Sequence, residues 1–206
     1  MLPAVRLTLA GALALLTLPA PVRAQDLDAR LVALTARLSA ARSDAGLWHE
    51  RALLRLELGD RVGALADVSE AVRLDPFAPD PRALRALLLL AADRPAEALA
   101  DATDGLARGP RADLYLLRAR ARRALDDLER ALADADRALE LAPSAAARLE
   151  RAWIRALRGE WPQVLEDAGD AARAEPRSVE PLLLLGIAHR ERGEWEAAAA
   201  RFGAAL

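Results

Sequence analysis

Residues able to do chemistry are few in this chain of 206 residues, and their spacing excludes most reactions. The two histidines, His49 and His189, lie at opposite ends of the repetitive part of the chain and are not expected to share a metal ion. There is no cysteine, so disulfides, thiolate metal sites and thiol nucleophiles are absent. Serines are scattered, with no strand-to-helix turn of the kind that exposes a nucleophile. The adjacent acids Asp126 and Asp127 sit between two helical stretches, where helix capping accounts for them. Glycines occur singly, and none forms a phosphate-cradling loop. We therefore expect no catalytic residues, no cofactor and no metal. One spacing remains. Arg51, Arg85, Arg118 and Arg151 are each followed 16 residues later by an aspartate, at Asp67, Asp101, Asp134 and Asp167. At the next place in the series stand Leu185 and Arg201, so the arginine and the aspartate vanish together. Guanidinium and carboxylate favour two-point, charge-assisted hydrogen bonds, and the register predicts such a structural ion pair in each of four units.

The elements that must hold these pairs are written repetitively. "ALADVSEAVRLDP", "ALADATDGLARGP", "ALADADRALELAP" and "VLEDAGDAARAEP" end at Pro76, Pro110, Pro143 and Pro176, at intervals of 34, 33 and 33 residues. Each unit reads as a helix, a turn on Gly or Asp, a second helix and a stop. The turns are Leu58-Gly59-Asp60, Ala92-Asp93-Arg94-Pro95, Leu125-Asp126-Asp127, Arg158-Gly159-Glu160 and Arg192-Gly193-Glu194. Ala and Leu dominate the composition, 53% of residues are apolar, and almost nothing alternates with strand period. A hairpin this rich in small apolar residues has two faces to bury and needs a neighbour on each. The expected fold is all-α, a right-handed α-solenoid of five helix-turn-helix repeats over 45–78, 79–111, 112–144, 145–178 and 179–206. Over 25–44, Leu27, Leu31, Leu34 and Leu38 form one apolar stripe, predicting an N-terminal capping helix from Asp26 to Arg42.

These units resemble the tetratricopeptide-repeat family. The resemblance rests on the period, on Trp48 and Tyr115 near the start of a first helix, and on the pair Leu185-Gly186. It also rests on the small-residue column Ala64, Ala98, Ala131 and Ala198, which Val164 breaks, and on Phe202 and the closing prolines. The column of arginines departs from the family, which has Leu there. The resemblance implies a concave groove that holds a segment of a partner protein. In that groove would lie the stripe two residues before, two after and five after each Arg column position. It runs His49, Leu53, Leu56; Ala83, Leu87, Leu90; Leu116, Arg120, Arg123; Leu149, Trp153, Ala156; Leu183, Ile187, Arg190. Such an apolar trough with three arginines suits a protein or peptide with apolar anchors and some acidic groups. The Arg column itself points roughly 200° from the stripe position two residues earlier, toward the second helix. Relatives that clamp a terminal carboxylate use Lys and Asn, and the sequence contains neither.

Residues 1–24 read as a signal peptide: Arg6, the apolar run Leu7 to Leu18, and small residues around Arg23 before Gln25. Cleavage would remove two arginines and no acid, taking the formal charge from -2 to -4. The expected location is periplasmic or secreted, with no membrane span after cleavage and, given the acidic charge, no nucleic-acid partner. An interaction scaffold of the bacterial cell envelope fits these expectations. The alternative is a structural subunit that forms a homo-oligomer through the last helix, "WEAAAARFGAAL", with Phe202 and Leu206 exposed and no capping helix over them.

Overall fold

The computed structural model describes the backbone from Ala20 to Leu206 and side chains from residue 26 onward. Among the described residues there are eleven α-helices and no strand. The chain divides into two compact units, one ending at Pro76 and the other running from Phe77 to Leu206.

The first unit holds α1 (Ala20–Ala40), α2 (Ala45–Glu57) and α3 (Arg61–Leu74). α1 lays Leu27, Leu34 and Leu38 against Leu47 and Leu54, and all five are buried. This helix begins upstream of the predicted start at Asp26 and stops two residues short of Arg42. Pro21 suits a first helical turn, and no breaker stands between it and Leu27, so the backbone runs helically through the expected cleavage point. The rest of the signal-peptide reading, residues 1–19, lies outside the described residues.

The second unit holds α4 (Pro79–Ala91), α5 (Pro95–Leu106), α6 (Ala112–Ala124), α7 (Leu128–Leu141), α8 (Ala145–Leu157), α9 (Trp161–Ala174), α10 (Val179–Glu191) and α11 (Trp195–Ala204). They pair as successive hairpins, and the first helices of neighbouring hairpins also touch, α4 with α6, α6 with α8 and α8 with α10. Hairpins here have α2/α3 as the first and α10/α11 as the fifth.

Small side chains set how close the helices come. Ala52, Ala86, Ala119 and Ala152 are fully buried on the first helices, as are Ala64, Ala98 and Ala131 on the second. Val164 fills the same column in the fourth hairpin and is equally buried, among Ala152, Ala168 and Leu184. Three of the turns place glycine in the left-handed region, with φ of 83° at Gly59, 74° at Gly159 and 76° at Gly193. The other two use aspartate instead, at Asp93 (56°) and Asp126 (62°), a residue whose short polar side chain tolerates that backbone. Asp44, Asp60 and Ser144 cap their helices with side-chain acceptors. Asp127 occupies a cap position but accepts no hydrogen bond from the helix backbone; its carboxylate faces Arg130 at 3.4 Å.

Candidate functional site

Each of the four aspartates spaced 16 residues from an arginine is buried in the seam between the two helices of its hairpin. Asp67, Asp101 and Asp167 are 2% exposed and Asp134 is 4% exposed. Each receives two hydrogen bonds from one guanidinium. Arg51 Nε and Nη2 reach the Asp67 oxygens at 2.7 Å each. The corresponding distances are 2.6 and 2.5 Å for Arg85 on Asp101, 2.8 and 2.7 Å for Arg118 on Asp134, and 2.8 and 2.6 Å for Arg151 on Asp167. This fork-on-fork geometry is open to arginine and closed to lysine. Two of these arginines are also covered by an aromatic ring one turn earlier, Trp48 over Arg51 and Tyr115 over Arg118.

The unit is larger than a pair. A second guanidinium meets every one of these carboxylates: Arg55 on Asp67 at 3.0 Å, Arg82 on Asp101 at 2.8 Å, Arg122 on Asp134 at 2.6 Å and Arg155 on Asp167 at 2.7 Å. In three hairpins it sits four residues after the first arginine, on the same helical face. In the second hairpin that place is Leu89, and Arg82 reaches the same carboxylate from three residues before Arg85. Two cations on one anion need further acids, and some are present. Asp104 stands 3.0 Å from Arg82 and Asp136 2.7 Å from Arg151. The Asp134 hydrogen bonds hold Arg118 above the ordinary guanidinium value, against the opposing effect of burial. Asp167, with Asp136, does the same for Arg151. Arg155 Nε is buried with no hydrogen-bond partner. The arrangement ties the two helices of each hairpin together through a buried carboxylate, with Asp104 and Asp136 at its exposed edge.

The stripe on the first helices is mixed. In the first unit Leu53 is 43% exposed, while His49 and Leu56 are half-buried. In the second unit Leu87 and Leu183 are each 41% exposed, and Ala83, Leu90, Leu116, Leu149, Ala156 and Ile187 are half-buried. Trp153 lies against the cluster around Ala152, Val164 and Leu184, and its indole donates to Glu180 Oε1 at 3.0 Å. The three arginines of the stripe are all engaged. Arg123 Nε donates to Glu150 Oε1 at 2.6 Å, Arg120 stands 3.5 Å from the other oxygen, and Arg190 pairs with its neighbour Glu191 at 2.8 Å. Glu150 is itself only 4% exposed. This contact was not legible in the sequence, because Glu150 and its two arginines recur together in no other pair of hairpins and so leave no periodic signal.

At the far end of the second unit, Phe202 turns inward. Its ring packs on Gly186, where an added Cβ would come within 2.5 Å of a ring carbon. The expectation of an exposed Phe202 is thereby corrected: the missing side chain at Gly186 creates the space the ring fills. Leu206 is fully exposed. His189 Nδ1 lies 2.5 Å from Glu194 Oε2. Among the described residues, no three His, Cys, Asp or Glu side chains gather as metal ligands, and no helix is long and apolar enough to cross a membrane.

No family model matches the chain, and no curated protein matches it in sequence. Solved structures do. The crystal structure of PilW, a widely conserved type IV pilus biogenesis factor, superposes with a TM-score of 0.77 at 19% identity, over 87% of this chain and 84% of that one. TTC0263, a thermophilic TPR protein in Thermus thermophilus, gives 0.68 at 23% identity, over 79% and 90%. YrrB, a TPR protein with an unusual peptide-binding site, gives 0.63 at 20% identity, over 84% and 90%. The chain has the tetratricopeptide-repeat fold. At these identities the likeness speaks for the fold alone. Within that fold, four of the five hairpins hold a buried ionic seam between their two helices.

Proposed function

We propose that the chain is a non-catalytic interaction scaffold of the bacterial cell envelope that holds a segment of a partner protein on the stripe of its first helices. The observation that carries this reading is the exposure of Leu87 and Leu183 on that stripe. Both stand among half-buried apolar neighbours, and apolar anchors of a bound segment would cover them. The fold favours it too, since stacked hairpins present one helix from each repeat along a common face. YrrB has a peptide-binding site on the same fold, and PilW serves pilus biogenesis. The signal-like residues 1–24 support export. Because Arg120, Arg123 and Arg190 already have carboxylate partners, apolar anchors rather than acids carry the proposed recognition. Acidic groups on the partner would have to displace Glu150 or Glu191.

The test uses a photo-crosslinking residue placed at Leu183 or Leu87, with Val62, 83% exposed on α3, as control position. Crosslinking in intact cells should yield one discrete adduct from the stripe positions and none from Val62. Leu183→Glu should abolish the adduct formed at Leu87. Equal, diffuse labelling from all positions would refute the stripe as a binding surface. The oligomer reading loses one of its two contact residues, since Phe202 is committed to α10, and it retains Leu206.

A further inference from the structure

In the first four hairpins a buried aspartate is met by two guanidinium groups. In the fifth, the same register holds Leu185 and Arg201, so the carboxylate is missing and the charge of its column is reversed. Beside these two residues lies an open pocket of about 510 Å³, bounded by α9, α10 and α11. Leu165, Leu182 and Leu185 form apolar walls, and Gly169 leaves the α9 side without a side chain. Three basic residues, Arg173, His189 and Arg201, reach the pocket, but they are not equivalent. Arg173 is bonded to Asp170, and His189 is in contact with Glu194. Arg201 is exposed and makes no ion pair or hydrogen bond among the described residues. One guanidinium fork therefore faces an apolar pocket with no carboxylate to accept from it.

We propose that this pocket binds a carboxylate carried on a short apolar chain, with Arg201 as the partner of the carboxylate and the three leucines around the chain. A ligand acid would supply the group that the protein itself provides in the other four hairpins. The chemistry is selective. An inorganic anion gains nothing from the leucines, and an alcohol, neutral and with one oxygen, gains far less from the guanidinium than a carboxylate does. With Arg173 and His189 already paired, one positive charge is unclaimed, which favours a monoanion over a phosphate ester. The volume lies within the range of small-molecule sites, roughly 300–1,000 Å³.

The probe is octanoate, titrated into the full chain and followed by NMR at the Leu185 amide and the Arg201 Nε. We expect saturable shifts at both, with Kd on the order of 0.1–1 mM for a ligand of this size. Octanol should bind about tenfold more weakly, the difference a lost charge-assisted contact makes. Arg201→Gln should weaken octanoate by about the same factor and leave octanol unchanged. A second variant, Leu185→Arg with Arg201→Asp, installs the ionic pair of the other hairpins. It should keep its helical circular dichroism and lose octanoate binding, which separates loss of the site from loss of the fold. The proposal falls if octanol binds as well as octanoate, if Arg201→Gln leaves octanoate binding intact, or if millimolar octanoate produces no saturable shift. Retention of octanoate binding in the double variant would put the site elsewhere and overturn it equally.

Discussion

Asp134 touches two guanidinium groups, so mutation in the third hairpin reads out a cluster of three charges. Asp134→Ala strands two half-buried cations side by side and should cost about 3 kcal/mol in urea unfolding. Arg118→Met leaves Arg122 on the carboxylate and should cost only about 1.5 kcal/mol. Replacing all three by apolar residues should recover much of the Asp134→Ala loss; strict additivity would mean that no coupled cluster exists. The 16-residue register was open to sequence reading because it recurs four times. The second arginine was hidden because its column shifts, four residues after Arg51, Arg118 and Arg151 but three before Arg85. Glu150, which engages Arg120 and Arg123, was hidden because its column is broken: Glu50 stands there in the first hairpin and pairs with Arg37, but Leu84, Leu117 and Leu184 stand there in the others.

Helices in this chain touch at their small residues, and the contact between α10 and α11 depends on one of them. Gly186→Ala would drive a methyl group into the Phe202 ring and should destabilise the protein by about 2 kcal/mol. Adding Phe202→Leu should return part of that loss, since the ring is what the methyl meets. A second element contact is electrostatic. Arg111, before α6, reaches Asp80 on α4 at 2.6 Å and Asp113 at 2.7 Å. The hydrogen bond from Arg111 holds the Asp113 carboxyl below its ordinary 3.8, against the opposing effect of burial. A depressed value in the folded state means stabilisation that is complete above pH 3.8 and disappears as pH falls through the folded value. The Asp113 carboxylate is about half exposed and that of Asp80 about two thirds, so the contribution is about a few tenths of a kcal/mol. Arg111→Gln should therefore lower the unfolding midpoint slightly at neutral pH and have no effect near the acid limit. The helix boundaries were legible in the sequence because each is punctuated by Pro, Gly or Asp. The start of α1 was not, because Asp26 offers one such mark and Pro21 another, and the helix begins at the earlier one.

Within the second unit each hairpin leans on its neighbours in sequence, as α9 does on α10 through Val164, Ala168, Leu184 and Leu185. Deleting residues 179–206 should bare Val164 and Ala168 and lower the thermal midpoint of what remains, by the equivalent of about 3 kcal/mol. An unchanged midpoint would mean that the fourth hairpin stands without the fifth. The repetitive architecture was readable from the period alone, whereas the use of its surfaces was not. A stripe position such as Leu183 reads the same in sequence whether it is exposed or, like Leu149, half-buried by its neighbours. Finally, every side-chain cation that forks onto a carboxylate here is an arginine, and the sequence has no lysine at all. Reagents that modify lysine side chains will find none on this protein, so any lysine-to-lysine link recovered from its complexes has both of its lysines on other subunits.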